Sequence, residues 1–152
     1  MSSTYRYKVN GHWTGGRTGS ISPEGVQLPV FFSAPVEFGG EPGHWTPEHM
    51  LSAAVASCYL ATFDAIAHAS MLKFLDLELT VEGTLMRDSE GWRFSEIEIR
   101  PTLTLEDTGD SDRALRLLQK AERVCLIARS VAARISVHPE ILTLGADLIF
   151  AE

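Results

Sequence analysis

The segment from Thr46 to Ala69 is the feature that most constrains how this chain folds. It opens as a typical helix start, with Thr46 as the N-cap, Pro47 in the first helical position and Glu48 at the positive end of the helix dipole. Apolar residues then cover almost every side of the predicted helix: Met50, Leu51, Ala53, Ala54, Val55, Ala56, Tyr59, Leu60, Ala61, Phe63, Ile66 and Ala67. Such a helix is buried. A chain of 152 residues can bury it by wrapping a sheet around it or by pairing with a second subunit, and we expect both.

Before this helix, the chain has the pattern of strands separated by turns. We predict strands over Tyr5–Val9 and Val26–Phe32. Glycine and proline mark the turns between them, which are predicted around Arg17 between Gly15 and Gly19, over Pro23–Gly25, and in the loop Gly39–Gly43.

After the helix, the pattern predicts a β-hairpin. The apolar residues Leu77, Leu79, Val81 and Leu85 alternate with polar residues, as in a half-buried strand. A turn follows over Asp88–Gly91. In the return strand the apolar residues change from even positions (Trp92 and Phe94) to odd positions (Ile97, Ile99, Leu103 and Leu105). This one-residue shift predicts a β-bulge near Ser95 and Glu96.

A second helix is predicted next, capped by Asp110 or Asp112. Its apolar stripe consists of Leu117, Leu118, Ala121, Val124, Cys125 and Ala128, and the sequence Leu126-Ile127-Ala128 favours a helix that continues through Cys125. A short apolar stretch follows at Ile135–Val137, and a last strand carries Leu142, Leu144, Ala146, Leu148 and Phe150. This order of elements predicts a single α+β domain over residues 1–152.

Composition excludes several classes of function. A formal charge of −7 without a basic cluster argues against binding to nucleic acid or to an anionic membrane. The chain contains neither G-x-x-x-x-G-K nor G-x-G-x-x-G, the glycine motifs that bind nucleotides, so no cofactor is expected. The stretch His44–His49 resembles an H-x-x-E-H metal motif but has one residue too many, so no metal is expected either. The N-terminal residues lack a secretory apolar region, which favours a cytoplasmic protein with reduced thiols.

The two cysteines, Cys58 and Cys125, are the remaining candidates for chemistry. Each lies on an apolar helix face, where a free cysteine is more often a small buried hydrophobe. A reactive thiol needs a cation to stabilise its thiolate, and neither helix places one beside Cys58 in sequence. Arg17 could be delivered there by the fold, and Glu48 could orient its guanidinium through a bidentate contact. Neither residue requires a catalytic role: Arg17 is also explained as a solvated turn residue, and Glu48 as a carboxylate that interacts with the helix dipole.

Three segments resemble the OsmC/Ohr family: Gly15-Gly16-Arg17-Thr18-Gly19, the run from Pro47-Glu48 to Ser57-Cys58, and Ala121-Glu122-Arg123-Val124-Cys125. The ten-residue spacing between Glu48 and Cys58 is the most specific of these features. The resemblance covers most of the chain.

The resemblance implies an OsmC-like fold, in which antiparallel sheets wrap around long central helices in an intertwined homodimer. It also implies thiol-dependent reduction of organic hydroperoxides, with a dithiol of the lipoyl type as reductant. Cys58 then resembles the peroxidatic cysteine and Cys125 the resolving one, while Arg17 and Glu48 match the pair that activates the thiolate. Family members commonly have proline after the second cysteine, where this chain has Leu126.

The spacing along the helix gives an independent reason to expect a dimer. Glu48 and Cys58 lie ten residues apart, which is about 15 Å along one helix, so this carboxylate cannot touch the thiol of its own helix. An arginine bridge or an antiparallel partner helix would close the gap. We therefore expect a site at a subunit interface.

Two other functions remain open from the sequence. One is an OsmC-fold protein with weak peroxidase activity that binds a small apolar ligand or senses redox state. The other is a different enzyme built around a buried helix, such as a hotdog thioesterase, which would leave the set Arg17, Glu48, Cys58 and Cys125 unexplained.

Overall fold

The computed structural model describes residues 1–144 and divides the chain into two compact units, Met1–Leu51 and Ser52–Glu152. Each unit is described by itself. Helix α1 (Pro47–Ala69) begins in the first unit and continues into the second.

The first unit contains an antiparallel sheet in the order β1-β2-β3, formed by Val9–Gly15, Thr18–Pro23 and Val30–Ser33. Between β1 and β2 the chain reverses through Gly15 and Gly16, whose φ angles of 124° and 53° favour glycine. The hydroxyl of Thr18 donates to the carbonyl of Gly15 at 2.7 Å and closes this turn. The predicted turn around Arg17 is confirmed.

The two strands predicted in this unit are misplaced. The first was expected over 5–9 but begins at Val9, which pairs with Pro23 at the end of β2. Beyond Pro23 the N–H of Glu24 still donates to the carbonyl of Lys8 at 3.2 Å, but the chain then turns at Gly25, whose φ is 84°, and the ladder ends there. The second was expected over 26–32 but occupies Val30–Ser33, since β2 pairs with β3 only from Thr18 to Ile21.

Helix α1 has the predicted bounds and the predicted start. The side-chain oxygen of Thr46 accepts the backbone N–H of His49 at 3.1 Å, which satisfies one of the free donors of the first turn. The ring of His49 lies 3.2 Å from the backbone nitrogen of Thr46 and accepts its N–H. The two residues therefore cap the helix reciprocally.

The second unit contains the predicted hairpin, formed by β4 (Asp76–Asp88) and β5 (Gly91–Leu105). Thr84 pairs with Glu96, but the next residue of β4, Leu85, pairs with Phe94. Ser95 is thus the extra residue, and the predicted bulge is confirmed.

The sheet of the second unit is mixed, which corrects the expectation of antiparallel sheets. Two short strands, β6 (Arg134–Val137) and β7 (Glu140–Thr143), pair in parallel with β5 at successive positions along it. Parallel pairing requires a crossover, and α2 (Ser111–Val124) lies in the connection between β5 and β6. The predicted last strand is observed only over Glu140–Thr143, and its part beyond residue 144 lies outside the described residues.

Helix α2 ends earlier than expected. The sequence predicted a helix through Cys125, but Cys125 is extended, with ψ at 117°, and the chain then forms a 3-10 turn at Ala128–Ser130. The hydroxyl of Ser130 donates to the carbonyl of Leu126 at 2.8 Å and stabilises this turn. The helix therefore ends at the second cysteine without a proline. Its N-cap is Asp110, although the Asp110 side chain makes no capping hydrogen bond.

The core of the second unit lies between the helices and the sheet. One face of α1 (Val55, Tyr59, Phe63 and Ala67) packs with Leu118 and Ala121 of α2 and with the inward residues of β5, which are Ile97, Ile99, Leu103 and Leu105. Along the opposite side of α1, Leu60 is 38% exposed and Ala61 and Ala65 are also exposed, so the described residues 1–144 do not bury this helix on all sides. By length and composition α1 would also pass as a membrane-spanning helix, a test that core helices pass as well.

Candidate thiol site

Helices α1 and α2 run antiparallel, and this arrangement brings the two cysteines together. At one end Cys58 of α1 meets Cys125, and at the other end the guanidinium of Arg113 donates to the carbonyl of Ser70. Between them the hydroxyl of Tyr59 donates to the carbonyl of Leu118 at 2.8 Å in a fully buried position. These contacts fix the rotation of α1 that directs Cys58 towards α2.

The two thiols are free and hydrogen-bond to each other. Cys58 is half-buried and Cys125 is fully buried. Cys58 is therefore the thiol of this pair that is open to solvent.

The surroundings of Cys58 favour its thiolate. Burial raises the pKa of the Cys58 thiol, but hydrogen bonds from the backbone of Ile127 and Leu126, from the Cys125 thiol and from the hydroxyl of Thr62 lower it, and the net pKa is below its ordinary value. Three of these groups belong to the end of α2 or to the turn that follows it. The early end of α2 therefore supplies donors to the thiolate.

The pKa of Cys125 shifts in the opposite direction. Burial raises the pKa of the Cys125 thiol, the backbone of Ala128 and Ile127 lowers it, and the hydrogen bond and negative charge of Cys58 raise it further. The surroundings of the pair thus lower the pKa of the Cys58 thiol and raise the pKa of its buried neighbour Cys125.

Cys58 opens into a groove of about 520 Å³ in the second unit. The groove is lined by Cys58, Ala61, Thr62, Ala65, Ile66, Ala69, Ser70, Lys120 and Val124. Most of this lining is apolar, and in the part of the chain that the structure describes Lys120 is its one basic residue. Such a surface suits a small apolar molecule that carries one polar group.

Arg17 lies in the first unit, in the turn between β1 and β2, and its side chain is exposed. Its carbonyl accepts the N–H of Ala34 at 3.0 Å. A Cβ atom on Gly39 would lie 3.3 Å from Nε of Arg17, and Gly39 has a φ of 81°. Gly39 therefore leaves room for the guanidinium in a conformation that favours glycine.

Glu48 lies in the first turn of α1 and has an unusual environment. Its Oε2 atom is buried and has no hydrogen-bond partner among the described residues. Within residues 1–144 no ion pair joins Arg17 to Glu48, so the expected bidentate contact is not formed in the single chain. A buried carboxylate oxygen without a hydrogen-bond partner is energetically costly, which marks Glu48 as a candidate functional residue.

Two residues at the thiols are absent from the sequence prediction. Thr62 lies one helical turn after Cys58, with its Oγ1 atom 3.9 Å from the sulfur. Lys120 lines the same groove from α2, although the sequence placed no cation near Cys58. The i,i+4 spacing is a signal for Thr62, whereas Lys120 becomes visible only once the two helices are paired. Among residues 1–144, no group of three or more His, Cys, Asp or Glu side chains could hold a metal ion.

Comparison with known proteins identifies the family. The model of the family described as "OsmC-like protein" matches residues 39–140, which include both cysteines. The chain belongs to the OsmC-like protein family. An uncharacterized protein of Bacillus subtilis, YmaD, is 31% identical over 140 residues, which cover 90% of this chain and 93% of the relative. The family match leaves the thioesterase alternative without support.

Solved structures of OsmC-like proteins have the same fold. An organic hydroperoxide resistance protein OsmC from Legionella pneumophila aligns with a TM-score of 0.75 at 22% identity, over 93% of this chain and all of that one. An organic hydroperoxide resistance protein from Elizabethkingia anophelis gives a TM-score of 0.75 at 19% identity, over 94% of this chain and 99% of its own. At sequence identities this low, the comparison shows that the proteins share the α+β fold.

Proposed function

We propose that this protein is a thiol peroxidase that reduces organic hydroperoxides in defence against oxidative stress. One observation carries the proposal: Cys58, whose pKa is lowered, lines a mostly apolar groove and hydrogen-bonds to the buried Cys125, whose pKa is raised. The names of the Legionella and Elizabethkingia proteins agree with this function. Membership of the family supports it without specifying the substrate.

The proposed reaction uses both cysteines in turn. The Cys58 thiolate attacks one oxygen of the O–O bond, an S–O bond forms as the O–O bond breaks, and the alkoxide leaves and takes up a proton. The sulfur loses two electrons and becomes a sulfenic acid, while the hydroperoxide is reduced to an alcohol. Cys125 then attacks that sulfur, which forms a disulfide and releases water. A dithiol reductant of the lipoyl type restores both thiols by exchange.

The first test follows thiols and mass in the fully reduced protein. With one equivalent of cumene hydroperoxide, we expect rapid loss of both thiols and a decrease of about 2 Da for one disulfide. Hydrogen peroxide should react more slowly, since the groove that leads to Cys58 is mostly apolar. Oxidation by both peroxides no faster than that of a small free thiol would contradict the proposal.

A second candidate function is binding of a small apolar ligand, or redox sensing, with weak peroxidase activity. The open apolar groove at Cys58 favours it. This function predicts slow thiol oxidation together with a ligand-dependent increase in the melting temperature. The same peroxide experiment therefore separates the two functions.

The proposed active form is a cytoplasmic, intertwined homodimer in which residues 1–152 act as one domain. The apolar side of α1 that the described residues leave exposed, at Leu60, Ala61 and Ala65, supports a second subunit, which would then form part of the wall of the groove at Cys58. The family match also crosses the boundary between the two units. Sedimentation should give twice the mass of the chain, and a monomer mass at all concentrations would contradict the dimer.

Arg17 and Glu48 are proposed to activate Cys58, with the pair and the thiols contributed by different subunits. The unpartnered oxygen of Glu48 supports this, because a guanidinium such as that of Arg17 would satisfy it. Arg17→Met and Glu48→Gln should each lower the rate constant with cumene hydroperoxide by about 10- to 100-fold, as expected when a thiolate loses a charged partner. Arg6→Gln, which changes an exposed arginine of the same unit, is the matched control. Rates within twofold of wild type for both variants would exclude the pair from the reaction.

A further inference from the structure

Thr62 has the position of a residue that acts on the Cys58 sulfur. It follows Cys58 by one turn of α1, so the two side chains lie on the same side of the helix. Both line the groove, and Oγ1 of Thr62 lies 3.9 Å from Sγ of Cys58. This contact is long, but sulfur has a large radius and accepts hydrogen bonds at greater distances than oxygen does.

The hydroxyl proton of Thr62 is not used elsewhere in the described structure. Serine and threonine within a helix often donate to a carbonyl of the preceding turn, and Ser57 does so with the carbonyl of Ala54 at 3.2 Å. Thr62 makes no such bond among residues 1–144, and its one side-chain contact of this kind is with Cys58. The proton is therefore available to the sulfur.

Ionisation of Cys58 fixes the direction of this hydrogen bond. While Cys58 is a thiol, either atom of the pair can donate. Once the thiol has lost its proton, only the hydroxyl can donate, and a hydrogen bond to the charged form favours that form. The contact is thus one-directional in the state that reacts.

We propose that Thr62 is a positioning residue, which donates a hydrogen bond to the Cys58 thiolate and holds its sulfur towards the groove. The role in holding the sulfur for attack on an O–O bond rests on the proposed peroxidase function; the hydrogen bond to the thiolate does not. The other groups that face Cys58 in the second unit are the Cys125 thiol, the backbone of Leu126 and Ile127, and Lys120 across the groove. Thr62 is the one that shares the helix of Cys58.

The test measures thiolate formation at a single cysteine. In a Cys125→Ser background, which keeps a hydroxyl donor beside Cys58, the rate of alkylation by iodoacetamide is followed from pH 5 to pH 10 for Thr62, Thr62→Val and Thr62→Ser. Valine has the shape of threonine without the hydroxyl, and we expect its midpoint to rise by about 0.5 to 1 pH unit. Serine keeps the donor and should restore the midpoint. Alkylation well above the midpoint should be equal in all three proteins.

Two controls make the outcome decisive. Thr80→Val, on the exposed side of β4, should leave the profile unchanged, and circular dichroism melting should show that each variant is folded. Equal midpoints for threonine and valine would overturn the proposal. Equal upward shifts for valine and serine would overturn it as well, because they would trace the effect to packing and not to the hydroxyl.

A second measurement separates this proposal from the proposed function. With cumene hydroperoxide at one pH unit below the parent's alkylation midpoint, Thr62→Val should react about 3- to 10-fold more slowly than its parent, which is the effect of a rise of 0.5 to 1 pH unit in the midpoint. If the wild-type protein fails to reduce hydroperoxides at all, the peroxidase function is wrong. The alkylation profile then still supports or overturns the hydrogen bond from Thr62.

Discussion

Replacement of Cys58 by serine is expected to lower the rate of hydroperoxide reduction by about three orders of magnitude. A serine hydroxyl remains protonated at neutral pH and is a poor nucleophile, whereas the environment of Cys58 lowers the pKa of its thiol. Cys58 is also half-buried, so a hydroperoxide can reach the sulfur from the groove. The rate is measured from peroxide consumption in the presence of a lipoyl dithiol.

Cys125→Ser is the matched variant, and its outcome should differ in kind. The first reaction at Cys58 should remain fast, because serine replaces the thiol with another hydrogen-bond donor. Without a second thiol, the oxidised Cys58 cannot form the internal disulfide, so a sulfenic acid should accumulate and be trapped by dimedone. Loss of the first reaction in Cys125→Ser, with full activity in Cys58→Ser, would reverse the roles of the two cysteines.

The sequence predicted those parts of the fold that depend on neighbours along the chain. The start of α1 at Thr46-Pro47-Glu48 and the bulge at Ser95 follow from a cap and from a shift of apolar period, and both are local signals. The parallel placement of β6 and β7 on β5 depends on contacts between distant segments, which alternation along a strand does not encode. The misplaced strand at 26–32 has the same cause, because strand length there is set by the partner β2.

The candidate site divides in a similar way. Cys58 and Cys125 stand out in the sequence as the two thiols on apolar helix faces, but their contact requires the antiparallel pairing of α1 and α2. The end of α2 at Val124 was missed because Leu126 favours a helix, while the turn that replaces it is closed by Ser130, five residues after Cys125. This turn also supplies backbone donors to both sulfurs. Ser130, which closes the turn that surrounds the thiols, is therefore remote in sequence from Cys58.

The orientation of Cys58 depends on the core beneath α1. The buried face of that helix, with Tyr59 and Phe63 at its centre, packs on β5 and α2. Cys58 is adjacent in sequence to Tyr59, and the bond from Tyr59 to the carbonyl of Leu118 holds the helix against α2. The same packing that stabilises the second unit thus directs the sulfur towards Cys125 and the groove.

Among the substitutions described above, Phe63→Ala is therefore expected to have the largest effect on the free energy of unfolding. The Phe63 side chain is fully buried, and its ring meets that of Phe74 edge to face with the centroids 5.5 Å apart. Removal of the ring leaves a cavity and should lower the free energy of unfolding by about 3–5 kcal/mol. That loss is a large part of the roughly 5–15 kcal/mol that stabilises a typical domain. Urea unfolding followed by circular dichroism measures it.

Leu115→Ala is the control for that measurement, because Leu115 lies on α2 and is 36% exposed. Leu115→Ala should lower the free energy of unfolding by about 1 kcal/mol or less, as is usual for substitutions away from a packed core. Phe63 points away from Cys58 on α1, so the fraction of Phe63→Ala that remains folded should keep the alkylation rate of the wild-type thiol. A folded variant with a much slower thiol would show that the core sets the chemistry of Cys58 as well as its position. A cost no larger than that of Leu115→Ala would contradict the packing of α1 on the sheet.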